Sequence, residues 1–165
     1  EGKLISWFEN GQVKVEGMIV NGAFEGELKT YFENGQLKRD DKYAAGKLVS
    51  GTCFNRDGKE IPHTDYMILA SFPGGQPGWV NYLQSELKYP KKAIKGGIDG
   101  TVIVQFIVSK DGSISDISVN KSVSKELDAE AVRVISVMPN WKPGREDGEL
   151  VRSYFKQPIT FKIEK

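Results

Sequence analysis

The chain has one cysteine and one histidine in 165 residues. A single cysteine, Cys53, excludes an internal disulfide and leaves the redox compartment open. With His63 it cannot supply a protein-only zinc site of nitrogen and sulfur ligands. No apolar run approaches the roughly 18 residues of a membrane span, and no signal peptide is visible. Charge of one sign is also missing. The net charge is +1, so no bulk field points to nucleic acid. Phosphate loops, nucleophile elbows and metal-spaced clusters are absent as well. Cys53, His63, Asp57 and Asp65 lie close in sequence, and a Cys-His-Asp set is open on counting alone. The stronger reading puts Cys53 in a core strand and His63 in a linker after Pro62. No acid, base and nucleophile converge on one element, so an enzyme is a distant third choice, and no cofactor or metal site is expected. The chain begins at Glu1 without a methionine. It reads as a trimmed product from which an anchor or targeting segment is missing.

What is present is a globular composition, 39% hydrophobic and 27% charged, and two unlike halves. Residues 1–61 repeat. "WFENGQVK" at 7–14 returns as "YFENGQLK" at 31–38, and "CFNRDGKE" at 53–60 is a looser third copy, 22 positions further on. Asn-Gly, Gly and Asp-Gly turn signals fall every eleven or twelve residues, and such pairs favour tight hairpins. The spacing predicts an all-β meander of short hairpin repeats. One repeat cannot bury its apolar face alone, so a run needs neighbours. The module resembles the MORN-like repeats of the YwqK antitoxin-type family. Its function divides evenly between an interaction surface and a spacer.

Residues 62–78 hold three prolines and three glycines in "IPHTDY" and "SFPGGQPG" and read as a joint. A second domain is expected over 67–165. Trp79, Leu83 and Leu87 recur at helical spacing with Tyr82 beside them, and "KYP" ends that helix at Pro90. "TVIVQFIVS" is a central strand with Val102, Val104, Phe106 and Val108 on one face. "SKDGS" turns it back through Gly112. Ile114 and Ile117 are three apart, which predicts a bulge near Asp116. Ser124 caps a helix whose buried stripe is Leu127, Ala131, Val134 or Ile135, and Met138. The helix is stopped within "MPNWKPGREDG". "SYFKQPITFKI" is the final strand, with Phe155, Gln157, Ile159, Phe161 and Ile163 on one face. The fold class is therefore α+β, a three-stranded antiparallel sheet with two helices on one face.

Pro158 places the final strand at an edge, because proline cannot donate to a ladder. Lys156, Pro158 and Lys162 only partly blunt that edge, and an edge left open is a docking site for another strand. By parity, Tyr154, Lys156, Pro158, Thr160 and Lys162 share the open side.

Six fragments, "FPGG", "LKYPKKA", "GTVIVQFIVSKDGSI", "LDAEAVRVI", "MPNWKPG" and "PITFKI", stand in the order and spacing of the TonB C-terminal domain. The match runs over residues 70–163 and resembles the Bacteroidetes version. The resemblance implies a periplasmic domain anchored in the inner membrane by an N-terminal helix outside this sequence. It implies an ExbB/ExbD-type motor behind that helix. It also implies capture of the TonB box of TonB-dependent outer-membrane transporters by strand addition to the last strand. Tyr89 and Pro90 resemble the family's "YP" near the docking edge, and a helix stop with a packed aromatic explains them equally. Lys88, Lys91, Lys92 and Lys95 form a basic cluster that is a solvated face or a steering patch for acidic segments. Trp141, Pro143 and Gly144 resemble "WKPG", and the better reading of Trp141 is a core plug. The partner-binding candidates are thus Tyr154, Lys156, Pro158, Thr160, Lys162, Tyr89, Pro90 and Lys88. The expected function is energy transduction for nutrient uptake. The alternative is a repeat-based interaction or antitoxin-like module, and homodimerisation through edge strands is a further option.

Overall fold

A computed structural model describes residues 1–164. The chain divides into two compact units, Glu1–Asp65 and Tyr66 onward.

The first unit is the expected meander. Its strands are β1 (Gly2–Trp7), β2 (Val13–Val20), β3 (Ala23–Phe24), β4 (Gly26–Tyr31), β5 (Leu37–Ala44), β6 (Lys47–Phe54) and β7 (Glu60–Ile61). All pairings are antiparallel, in the order β1-β2-β4-β5-β6-β7, with β3 on β2. The repeat is visible bond by bond. The Phe8 amide donates to the Gln12 carbonyl and the Gly11 amide to the Phe8 carbonyl; Phe32, Gln36 and Gly35 do the same 24 residues later. Asn10 and Asn34 each accept from the amide two residues on, at 3.0 and 3.1 Å. Lys14 and Lys38 each sit 5.7 Å over the ring of Phe8 or Phe32.

The third copy lies one residue later than its letters indicate. The Asn55 amide donates to the Lys59 carbonyl and the Gly58 amide to the Asn55 carbonyl. Asn55, not Phe54, therefore stands where Phe8 and Phe32 stand. Matching the aromatic letters misplaced it, because the turn is set by the glycine at positive φ. Gly11, Gly35 and Gly58 have φ of 85°, 84° and 75°.

One face of this sheet is closed by polar groups as much as by apolar ones. Val15, Thr30, Arg39 and Cys53 form a single cross-strand row, and all four are buried. Asp41, also buried, accepts from Arg39 at 2.8 Å and pairs with His63 at 2.9 Å. Arg39 also donates to the Thr64 carbonyl at 2.6 Å. The segment after β7 is thus strapped across the sheet face at Gly51, where a Cβ would collide with Asp41 and His63. His63 belongs to Asp41 and Arg39, and Cys53 is core; the Cys-His-Asp alternative with Asp57 or Asp65 does not form.

In the second unit, β8 (Met67–Ile68) is followed by α1 (Gly75–Glu86), α2 (Lys91–Lys95), β9 (Gly100–Val108), β10 (Ile114–Lys121), α3 (Lys125–Ser136), β11 (Gly144–Glu146), β12 (Glu149–Val151) and β13 (Ser153–Phe161). The main sheet has the order β10-β9-β13 and is antiparallel. A second small sheet, β12-β11-β8, was not foreseen. Asp147 and Gly148, at φ 49° and 80°, turn β11 into β12. The Asp-Gly signal was present in "REDGEL" but was absorbed into the helix stop. The third helix, α2, is also an addition to the two expected. It begins after Pro90, its extended N-cap. Pro90 does not end the preceding helix as expected, because α1 stops at Glu86 and its C-cap Leu87 is already extended.

Residues 66–78 are more ordered than their loop composition implied. Tyr66, Ala70 and Phe72 are buried. α1 begins at Gly75, with Pro77 in the first turn, where a missing N–H costs nothing. The final strand ends at Phe161, short of Ile163, which was expected on its inner face. The cap at Ser124 and the bulge at Asp116 match. Ser124 Oγ accepts from the Leu127 amide, and Leu127, Ala131, Val134 and Ile135 are buried. Asp116 has φ 52° and sits in a register break of β10.

Trp141 is the plug of this core. It lies edge-on to Phe72 at 6.0 Å and Phe106 at 5.4 Å, and 5.0 Å from Phe155. Its indole N–H points at Met138 Sδ, 3.3 Å away. Its backbone N–H donates to the Gly112 carbonyl at 2.9 Å, and a Cβ at Gly112 would strike the Trp141 carbonyl. Trp141→Ala should therefore cost about 3–5 kcal/mol and unfold the second unit. Thermal denaturation followed by near-ultraviolet circular dichroism checks this; an unchanged melting temperature contradicts it.

Candidate partner-binding edge

β13 pairs with β9 residue for residue, from Ser153 opposite Val108 to Phe161 opposite Gly100, without a bulge. Among the described residues, no strand pairs with its other side. The pleat sends alternate side chains to opposite faces. Ile159 and Phe161 are buried on the helix side. Tyr154, Lys156, Pro158, Thr160 and Lys162 are all exposed, Tyr154 at 76%. Pro158 stands opposite Ile103. Having no N–H, it fits a position whose backbone points away from β9, and residues of the same parity then point with it.

The side chains of this set are not equally free. Thr160 Oγ1 lies 2.9 Å from Thr101 Oγ1, so what Thr160 offers outward is its backbone. Arg152 lies 5.5 Å over the Tyr154 ring and 3.6 Å from Asp116. Beside them a hollow of about 360 Å³ is lined by Gln105, Ile107, Asp116, Tyr154 and Lys156. The bulge in β10 delivers Asp116 to it.

Tyr89 and Pro90 are brought to the Phe161 end of the strand. The Tyr89 ring meets Phe161 edge-on at 5.6 Å, and its hydroxyl donates to the Ile98 carbonyl at 2.7 Å. Pro90 is the N-cap of α2. The Lys88 amide donates to Glu130 at 2.7 Å, while Lys91, Lys92 and Lys95 are exposed. The aromatic is thus a structural clamp on the strand's end, with lysines around it.

Residues 85–163 match the family of the Gram-negative bacterial TonB protein C-terminal, and residues 1–21 and 24–45 match the MORN repeat variant. The second unit contains a TonB C-terminal domain, preceded in the chain by MORN-type repeats. Among relatives, Protein TonB of Pseudomonas aeruginosa is 35% identical over 77 residues, 47% of this chain, and Protein TonB of Helicobacter pylori is 32% identical over 83 residues, 50% of this chain. The chain spans 22% and 28% of the length of these curated relatives. An NMR solution structure of Helicobacter pylori TonB-CTD aligns at 27% identity and a TM-score of 0.41, covering 52% of this chain and 78% of that one.

All eight candidate residues fall inside the segment that matches the TonB C-terminal family. Residues 66–84 of the same unit fall outside it, and between them and the matched segment lies a feature the sequence reading missed. A pocket of about 210 Å³ is lined by Phe72, Gln76, Trp79, Trp141, Phe155 and Gln157, among others. Its signal was the aromatic in "SFPGG", which loop composition concealed.

The electrostatic anchor of the TonB C-terminal domain's lysine-bearing loop is Glu130. Burial raises its carboxyl, but hydrogen bonds from Arg133 and from the Lys88 amide outweigh this and leave it below its ordinary range. A carboxyl lowered by folding contributes stability above its unfolded pKa, and that contribution is lost as pH falls through the folded value. Glu130→Gln should therefore lower stability by about 1 kcal/mol at neutral pH. The deficit should shrink as pH falls below the ordinary carboxylate range. Urea melts at pH 7 and pH 3.5 check this; an equal deficit at both values contradicts it.

Proposed function

We propose that the chain is the partner-binding portion of a TonB-type energy transducer in the periplasm. The second unit captures the TonB box of an outer-membrane transporter as a fourth strand along β13. An N-terminal membrane helix outside this sequence links it to an ExbB/ExbD-type motor driven by the proton-motive force. The observation that carries this reading is the unpaired edge of β13, nine residues long, with unbroken register on its inner side. Such an edge offers backbone donors and acceptors at regular intervals, which an extended peptide satisfies with little demand on its sequence. Only Pro158 leaves a gap. Strand pairing also suits pulling along the strand, because the load falls on several backbone hydrogen bonds together.

A single added strand buries little surface, so capture is weak and reversible, with a Kd on the order of micromolar or weaker. The lysines around Tyr89 lie at one end of the edge and favour acidic residues flanking the peptide. The repeats in front support a second, separate contact. Trp7 is 56% exposed and lies in a groove with Phe8, Asn10, Lys14 and Glu33. A second copy of the chain competes for the β13 edge.

Titrating isotope-labelled protein with a peptide spanning a transporter's TonB box tests the main reading. Amide signals over 153–162 should move most. Thr160→Pro removes a second outward N–H and should weaken binding about three- to tenfold, with the melting temperature nearly unchanged. Shifts confined to 114–121 or to the repeats, with β13 silent, reject the docking edge. Sedimentation of the free protein separates peptide capture from self-pairing.

A further inference from the structure

The row of inward-facing aromatics across the main sheet ends at an unfilled place. Phe106 on β9 stands opposite Phe155 on β13, and the two rings stack 5.9 Å apart. Outward of Phe155 there is no further strand among the described residues. A pocket of about 210 Å³ adjoins this end of the row, lined by Phe155 and Gln157 of β13 but by no residue of β9, together with Gln76 and Trp79 of α1 and the loop residues Phe72 and Trp141. Its walls are set by their own packing. Phe72 meets Trp79 at 5.5 Å and Trp141 at 6.0 Å, both edge to face, and these three side chains are only 5–7% exposed. The pocket is preformed, and no charged residue lines it.

An added strand continues the pleat of β13. Any residue opposite Phe155 or Gln157 places its side chain on their face, toward this pocket. We infer that the pocket is a side-chain subsite for the incoming strand, and that it takes an aliphatic side chain of leucine size in register with Phe155–Gln157. The inference rests on the strand-addition reading above. The chemistry excludes a charged occupant, which would lose its water to four aromatic rings and two amides with no counter-charge. The opposite face asks for something different. There, residues in register with Tyr154 and Lys156 meet Arg152, Asp116 and solvent. The partner is therefore an extended peptide that alternates apolar and polar residues, read on its apolar side by Phe72, Trp79, Trp141 and Phe155.

Two nine-residue probes test this, acetyl-Lys-Thr-Xaa-Thr-Xaa-Thr-Xaa-Thr-Glu-amide with Xaa either leucine or alanine. A slip of two residues keeps Xaa on the same face, so register need not be known. Each is titrated into the isotope-labelled 165-residue chain. Amides over 153–162 report strand addition, and the indole N–H signals of Trp79 and Trp141 report the pocket. The leucine peptide should bind about tenfold tighter than the alanine peptide and should alone move both indole signals. Gln76→Trp, at an exposed position of α1, should fill the pocket. It should cut the leucine advantage below about twofold and leave the alanine peptide unchanged. Equal affinities, or a leucine advantage with silent indoles, overturn the subsite while strand addition stands. Silence over 153–162 with both peptides overturns both readings together. The indole signals of the unmodified chain decide the matter even if Gln76→Trp does not fold.

Discussion

The packing around Trp141 is the constraint on which the second unit depends. One side chain touches the loop before α1 through Phe72, the central strand through Phe106 and the last strand through Phe155. Its backbone meanwhile ties the exit of α3 to the β9–β10 turn at Gly112, and Lys142 next to it pairs with Ser71. Four separate stretches of chain are therefore held by two adjacent residues. β13 is the last element in chain order. Its inward face is committed to the core and its inner backbone to β9. Its outer backbone is left over, and the open edge follows from the aromatic packing.

An open edge is normally an aggregation hazard, and the strand carries modest protection. Lys156 and Lys162 add charge, and Pro158 removes a donor. The Thr101–Thr160 contact occupies the Thr160 hydroxyl. These devices discourage indiscriminate pairing without closing the strand. The clamp at Tyr89 keeps its far end from fraying by holding Phe161, and Glu130 holds the loop that carries Tyr89.

The first unit solves a different problem. A single short sheet cannot bury enough apolar surface, and its row of Val15, Thr30, Arg39 and Cys53 is only half apolar. A buried Arg39–Asp41 pair, extended to His63 and the Thr64 carbonyl, closes the face. Buried pairs of this kind contribute little net stability over apolar packing, but removing one partner leaves an uncompensated charge. The arrangement therefore specifies one path for residues 61–65 across the sheet. Burial and the charge of Asp41 push the Tyr43 hydroxyl up to about 12, so it stays a neutral donor beside that carboxylate.

By itself the sequence determined what depends on local period and turn chemistry. Alternation placed Val102 to Val108 and Ile159 to Phe161 on the core face, Asn-Gly spacing marked the hairpins, and Pro158 named the edge strand. These signals are short-range, since a proline within a strand lacks a ladder donor whatever its neighbours are, and away from strand starts and bulges that points to an edge. The tertiary structure alone decided what depends on residues distant in the chain. β8 exists only because β11 is there to pair with it, so "YMIL" read as a joint. Asp41 and His63 are 22 residues apart, and no local pattern joins them. Phe72, Trp79, Trp141 and Phe155 come from four elements, and the pocket they line appears only when the helix stop folds back onto the last strand. Pairings of this kind carry no sequence period, because their partners are set by which surfaces the packed core leaves adjacent.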